Sequence, residues 1–293
     1  MTRTIENNFL KISVSDHGAE LTGIYDKTND REILWQADPA YWKRHAPVLF
    51  PNVGRNYKDI WRLNGKEYPS RQHGFARDSD FICTDITDTS LSFVLKSSEE
   101  TLNVYPFAFA LKITYTLKKH DLEVCWEVVN NDSETMYFTI GGHPAFNVNV
   151  LPDTDFEDYS LVFKEGTEKL SYVLLDAESG TAIGDKVYEL ELTDSKYALK
   201  KDMFDKDALV FDNGQIQKAG ILFPDGTPYL TLTSEGFPNF GIWSVPGAPF
   251  VCLEPWMGRC DDCGFEKPLS EKANINVLKP DEEFIKSYQI TVH

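Results

Sequence analysis

Long apolar runs are missing from this chain. No stretch approaches the roughly 20 apolar residues of a membrane span, and the opening MTRTIENNFLKISVS lacks the apolar core of a signal peptide. A cytoplasmic location, with no membrane partner, is expected. Cysteine is sparse and scattered: five residues, Cys83, Cys125, Cys252, Cys260 and Cys263. An odd, dispersed set does not read as a disulfide framework. Cys260 and Cys263 form one C-x-x-C, but a structural zinc site needs four ligands and no second pair or nearby histidine supplies them. Reduced structural thiols and no metal are expected. Positive charge is short as well: 29 Lys and Arg stand against 46 Asp and Glu, a net charge of −17. That field repels nucleic acid and anionic membrane surfaces. An anionic ligand would have to be met by a local basic cluster. No G-x-G-x-x-G, P-loop or G-x-S-x-G pattern occurs, which removes the simple nucleotide-binding and serine-hydrolase readings. Helical periodicity is scarce, with Asp38–Arg44 and Ser195–Phe204 the candidates for short helices.

What the 293 residues do contain is a long series of short strand-like runs. The first group is Leu10–Ser15, Leu91–Leu95, Leu111–Leu117, Leu122–Val129 and Thr135–Ile140. The second is Ala208–Phe211, Tyr229–Thr233, Phe240–Trp243, Phe250–Leu253 and Ile285–Val292. Several alternate apolar and polar residues at period two, the mark of a half-buried strand. Turn signals separate them: Asn64-Gly65, Asn213-Gly214 and Asp225-Gly226. No repeat, linker or low-complexity tract interrupts the chain, and acidic Leu151–Tyr159 reads as a surface loop. The expectation is all-β: one domain over residues 1–293, a large β-sandwich of antiparallel sheets with a few short helices.

Four segments combine a chemical side chain with glycine or proline. Arg44-His45-Ala46-Pro47-Val48-Leu49-Phe50-Pro51-Asn52-Val53-Gly54-Arg55 places two arginines around an apolar, proline-marked stretch; arginine donates several hydrogen bonds in a fixed fork. In Gln72-His73-Gly74-Phe75-Ala76-Arg77 the glycine permits close backbone approach to a ligand. In Gly141-Gly142-His143-Pro144-Ala145-Phe146 a strand ends on a histidine fixed by the following proline, well placed to move a proton near neutral pH. In Val251-Cys252-Leu253-Glu254-Pro255-Trp256 a carboxylate stands in apolar surroundings, where burial tunes its pKa. Each segment alone reads as readily as structural: solvated arginines, a satisfied histidine, a salt-bridged glutamate.

Together, and in this order, the four segments resemble the aldose 1-epimerase (galactose mutarotase) family over essentially the whole chain. The details around His73-Gly74-Phe75-Ala76-Arg77 are most similar to its LacX-like branch. The resemblance implies the galactose mutarotase-like supersandwich fold. It implies His143 as general acid, Glu254 as general base, His73 as a second active-site histidine and Arg55 as a substrate-binding residue. It also implies a hydroxyl-binding aspartate before a late strand; Asp207 fits that place, with Asp205 a competitor. Such enzymes interconvert the α and β anomers of a free hexose such as galactose or glucose. The C1 hydroxyl loses a proton, the ring oxygen gains one, the C1–O5 bond opens, and rotation about C1–C2 precedes reclosure. One acid and one base suffice, and no redox cofactor is needed. The partner implied is a small-molecule sugar, with the chain as monomer or homodimer. A phosphate-specific branch of the family places arginines where this chain has Arg44 and Arg77, so a hexose-6-phosphate epimerase is an alternative. A non-catalytic carbohydrate-binding protein on the same scaffold is another.

Overall fold

The computed structural model describes residues 1–293. Its core begins with the pattern that is clearest in the sequence. Phe109–Lys118 buries alternate residues, among them Leu111, Ile113, Tyr115 and Leu117. It pairs in continuous register with Asp121–Asn130, from Phe109↔Asn130 to Lys118↔Asp121. Leu122, Val124, Trp126 and Val128 are buried on that partner strand. Each such side chain contributes roughly 1.5–3 kcal/mol by leaving water, which pins the register, because a one-residue slip would turn every one of them outward.

The hairpin lies inside a nine-stranded antiparallel sheet. Its order is Lys196–Ala198, Ser160–Phe163, Lys218–Leu222, Pro228–Thr233, Glu283–Val292, Asp121–Asn130, Phe109–Lys118, Ser90–Lys96, Ile82–Ile86. A second large sheet runs Ala182–Glu191, Lys169–Leu175, Leu209–Phe211, Asn239–Trp243, Phe250–Met257, Ile140–Gly142, Val48–Leu49, with Ala145–Asn147 also pairing with Phe250–Met257. A four-stranded N-terminal sheet spans Thr2–Glu6 to Arg31–Glu32. One apolar cluster of 62 buried residues joins all three, from Ile5 to Val292. Leu253 and Val251 enter it from the second sheet, so Cys252, Glu254 and Trp256, on alternate positions, turn to that sheet's other face. That face carries the site. No helix is long and apolar enough to cross a membrane.

Two expected helices are absent. Asp38–Arg44 makes one turn, with the Tyr41 and Trp42 N–H groups donating to the Asp38 carbonyl and the Asp38 carboxylate capping Ala40. The chain then leaves as an extended strap. In Ser195–Phe204, Asp194 and Ser195 take positive φ and Lys196–Ala198 joins the nine-stranded sheet, so tertiary pairing overrides local preference. The α-helix is instead Glu99–Val104, capped by a Ser98–Thr101 capping box. The run Thr135–Ile140 divides into Met136–Phe138 and Ile140–Gly142. At the break the Thr139 N–H donates to Pro51 O, and its hydroxyl accepts from Val53 N–H.

Candidate active site

The second sheet is interrupted at one place. Phe250–Met257 pairs with Ile140–Gly142 at Trp256 and Met257, and with Ala145–Asn147 at Phe250 to Cys252. Between these lie His143-Pro144 on one side and Glu254-Pro255 on the other. The prolines carry no N–H, so the break leaves no orphaned donor at either. It frees the two chemical side chains to meet: His143 Nε2 stands 3.4 Å from Glu254 Oε2. Both are buried, Glu254 to 1% exposure. Neither Glu254 Oε2 nor His143 Nδ1 has a hydrogen-bond partner.

The pair sits at the floor of a cavity of about 340 Å³, at the small end of the range for small-ligand sites (~300–1,000 Å³). Trp42 stacks on the His143 ring, centroids 4.9 Å apart and planes 28° from parallel, and Trp243 meets it edge-on at 5.5 Å. Trp256 covers the floor beside Glu254. Its indole lies over two glycines: a Cβ at Gly241 would come within 2.4 Å of the ring and one at Gly141 within 2.5 Å. Gly241 is paired directly opposite Glu254, so the missing side chain there makes room for the aromatic floor.

His73 enters from the opposite wall. Its strap is locked by Gly74, where a Cβ would lie 2.2 Å from Phe50 O, and by the Phe75 and Ala76 N–H groups donating to that carbonyl. His73 itself has φ +64°, a conformation costing a non-glycine residue on the order of 1 kcal/mol or more. Its Nδ1 accepts from Gly54 N–H at 3.1 Å, which assigns the remaining proton to Nε2. That N–H is left for a ligand oxygen. The His73 and His143 rings meet edge-to-face at 5.6 Å.

Burial governs the charges. It pushes the His143 imidazolium down to about 3, helped by Arg77 and Arg44, and holds His73 well below its ordinary value, helped by His143 and Arg77. Burial raises the Glu254 carboxyl well above the usual range; Asp207 adds to this, and the Trp256 indole N–H nearby opposes it without reaching hydrogen-bond geometry. Burial thus disfavours the charged form of both partners. Cys252 has its sulfur within 4.8 Å of both. Burial beside Glu254 drives that thiol well above its ordinary pKa.

The structure gathers five of the sequence-derived residues around one cavity: His73, Arg77, His143, Asp207 and Glu254. Asp207 lines it and Asp205 does not. Arg77 is largely buried, its guanidinium donating to Gln72 O at 2.9 Å and its Nε lying 3.9 Å from the Asp78 carboxylate. Burial and Arg44 pull it down to about 10. Arg44 stands behind it, paired with Asp78 at 2.7 Å. Arg55 does not line the cavity. Its guanidinium is paired with Asp59 at 2.6 Å, facing an adjoining cleft, and its stem passes Gly180 on the cavity rim. The sequence reading missed Trp42 and Trp243. Trp42 falls in the expected Asp38–Arg44 helix, and nothing local distinguishes a lining tryptophan from a core one.

Comparison with known proteins agrees with this architecture. The family profile described as aldose 1-epimerase matches residues 1–275. The chromosomal LacX protein of Lactococcus lactis subsp. lactis is 33% identical over 300 aligned positions, covering 100% of this chain and 99% of that protein. The crystal structure of a galactose mutarotase related enzyme from Lactobacillus acidophilus superposes with a TM-score of 0.94 at 37% identity, over 100% of this chain and 97% of the other. A galactose mutarotase-like protein from Lactobacillus casei gives 0.90 at 33% identity, over the full length of both chains.

Proposed function

The chain belongs to the aldose 1-epimerase family, and we propose that it is a mutarotase, interconverting the α and β anomers of a free aldohexose such as galactose or glucose. The observation that carries this reading is the buried His143–Glu254 contact of 3.4 Å on the floor of a monosaccharide-scale cavity. Mutarotation needs one base and one acid, which is one proton shared by two groups. The pair holds that inventory. A hexose placed with C1–O5 over the floor displaces the direct contact. In the reactive form the proton shared by the pair stands on His143: the Glu254 carboxylate takes the O1 proton, the His143 imidazolium gives its proton to O5, and the C1–O5 bond opens. The open-chain aldehyde then leaves Glu254 protonated and His143 neutral, the direction in which burial pushes each group. After rotation about C1–C2, His143 removes the O5 proton, Glu254 returns one to O1, and the ring closes on the other face. Each positioned proton transfer contributes roughly 10²- to 10⁴-fold.

His73 supplies a fixed Nε2–H for a ring or C1 oxygen. In this reading Asp207 and Arg77, which line the same cavity, hold outer hydroxyls, and Trp42, Trp243 and Trp256 offer flat apolar faces to the C–H side of a pyranose. The test is anomer exchange followed by polarimetry or NMR with galactose and glucose. Glu254→Gln and His143→Asn should each lower the enzyme-catalysed rate at least ~100-fold. Full activity in both variants would sink the mechanism. Sugar binding without rate acceleration by the unmodified chain would favour a carbohydrate-binding role.

One observation favours a second reading. Arg77 lines the cavity with Arg44 behind it, and a guanidinium suits phosphate through charge-assisted bonds. A hexose-6-phosphate 1-epimerase would prefer glucose-6-phosphate over glucose and lose that preference in Arg77→Ala.

A further inference from the structure

The turn after Leu10–Ser15 leads through Gly18, Ala19 and Glu20 into Leu21–Asp26. It lies outside the cavity and carries no recognisable motif, yet it touches both straps that build the site. Gly18 N–H donates to Ser79 O at 2.7 Å, and a Cβ on Gly18 would lie 2.8 Å from the Arg77 carbonyl oxygen. Two residues on, buried Glu20 reaches the other strap, where its Oε1 accepts from the N–H groups of His45 (2.7 Å) and Ala46 (3.1 Å). Ala19, between them, has φ +43° and offers its carbonyl to the Tyr115 hydroxyl of the nine-stranded sheet at 2.7 Å.

The His45–Pro47 strap continues to the acid. His45 O accepts Ala145 N–H at 3.0 Å, and Pro47 O accepts His143 N–H at 3.2 Å. Upstream, the same strap carries Trp42, which stacks on the His143 ring, and Arg44, which is paired with Asp78. A continuous set of contacts thus runs from the core sheet through the turn, to the backbone of His143 on one side and to its ring on the other.

We propose that Glu20 is a positioning residue for the acid–base pair: it fixes the His45–Pro47 strap, and the strap sets the orientation of His143 against Trp42 and Glu254. A carboxylate does this better than a neutral acceptor, because charge-assisted N–H···O bonds are roughly twice as strong. The two strap amides satisfy a carboxylate that would otherwise be buried at high cost. The functional part of this inference rests on the mutarotase reading; the structural part does not.

The experiment compares Glu20→Ala, Glu20→Gln and Glu20→Asp with the unmodified chain, using two readouts. Amide hydrogen exchange at His143 and Ala145 should quicken about tenfold or more in Glu20→Ala, the loss expected for a buried charge-assisted bond, while the Leu111–Leu117 amides stay unchanged. Glu20→Gln keeps an acceptor at the same reach but not the charge and should restore part of the protection; Glu20→Asp keeps the charge, falls short by one methylene and should not. In mutarotation, Glu20→Ala should lose ~10- to 100-fold in kcat with KM within about twofold, the signature of a displaced reacting group. Unchanged exchange at His143, or kcat within about twofold of the unmodified chain in both Glu20→Ala and Glu20→Asp, overturns the proposal. If Glu20→Ala does not fold, the Glu20→Asp and Glu20→Gln contrast decides. If the unmodified chain does not mutarotate sugars, the activity reading fails, and the exchange data still decide whether Glu20 holds the strap.

Discussion

At the scale of single residues, two arginines that look alike in the sequence separate. Arg77 lines the cavity, whereas Arg55 is held by Asp59 outside it. Arg77→Ala should raise KM for the hexose about 10- to 150-fold, the range for one lost hydrogen bond to a charged group. Arg55→Ala should leave KM within about twofold; steady-state kinetics on both variants checks the contrast. The legible residues were those beside a backbone constraint. His73-Gly74, His143-Pro144 and Glu254-Pro255 each show in the sequence because glycine or proline marks the strained or unpaired backbone that presents them. Glu20 and Trp42 act through a turn and a strap whose partners are distant in the chain, so nothing around them signals their place. His143 also imposes a pH dependence on stability. Burial lowers its pKa from 6.5 to about 3, so between those values the unfolded chain binds more protons than the folded one, and stability falls as pH drops through that window. In His143→Asn that contribution should vanish, and urea midpoints measured from pH 7 to pH 4 should fall less steeply than in the unmodified chain.

At the scale of elements, alternation was a dependable guide wherever one face of a strand meets the core. Leu10–Ser15 matches the observed strand end to end, and Leu111–Leu117 and Leu122–Val129 fall short of theirs by one or two residues at each end. The apolar run Phe250–Leu253 ends at Glu254, and a proline follows, which is unusual in a strand interior. The strand nevertheless continues to Met257, since the neighbouring strand is itself interrupted there. The Asp38–Arg44 helix fails because Asp38 caps a single turn, and the Ser195–Phe204 helix fails because Lys196–Ala198 is drawn into the nine-stranded sheet. The same site face makes Gly241 a demanding position. Gly241→Ala would drive a methyl group into the Trp256 indole, 2.4 Å away at closest approach. The expected cost is ~1–3 kcal/mol of stability from overpacking, read by urea unfolding. A fall in kcat should accompany it, because the displaced ring borders Glu254. Unaltered kcat together with unaltered stability would show that the indole is free to move aside.

At the scale of the whole molecule, a net charge of −17 surrounds a site whose cavity wall is locally basic at Arg77, with Arg44 behind it. The two fields have different ranges. The global one acts across solvent and is cut back as the Debye length shrinks from about 30 Å at 0.01 M salt to about 8 Å at 0.15 M; the local one acts across a few ångströms inside a partly dry cavity and persists. A neutral hexose feels neither field at long range, so its kcat/KM should stay within about twofold from 0.01 to 0.15 M salt. A hexose 6-phosphate is repelled on approach and attracted on arrival. Its kcat/KM should therefore rise as added salt removes the repulsion, and Arg77→Ala should lower its value at every salt concentration without removing the rise. Measuring both sugars across that range separates the two substrate readings. A free-hexose enzyme gives high, flat values for the neutral sugar and low values for the phosphate. A phosphate enzyme reverses the order and shows the salt-dependent rise, with the loss on Arg77→Ala confined to the phosphorylated substrate.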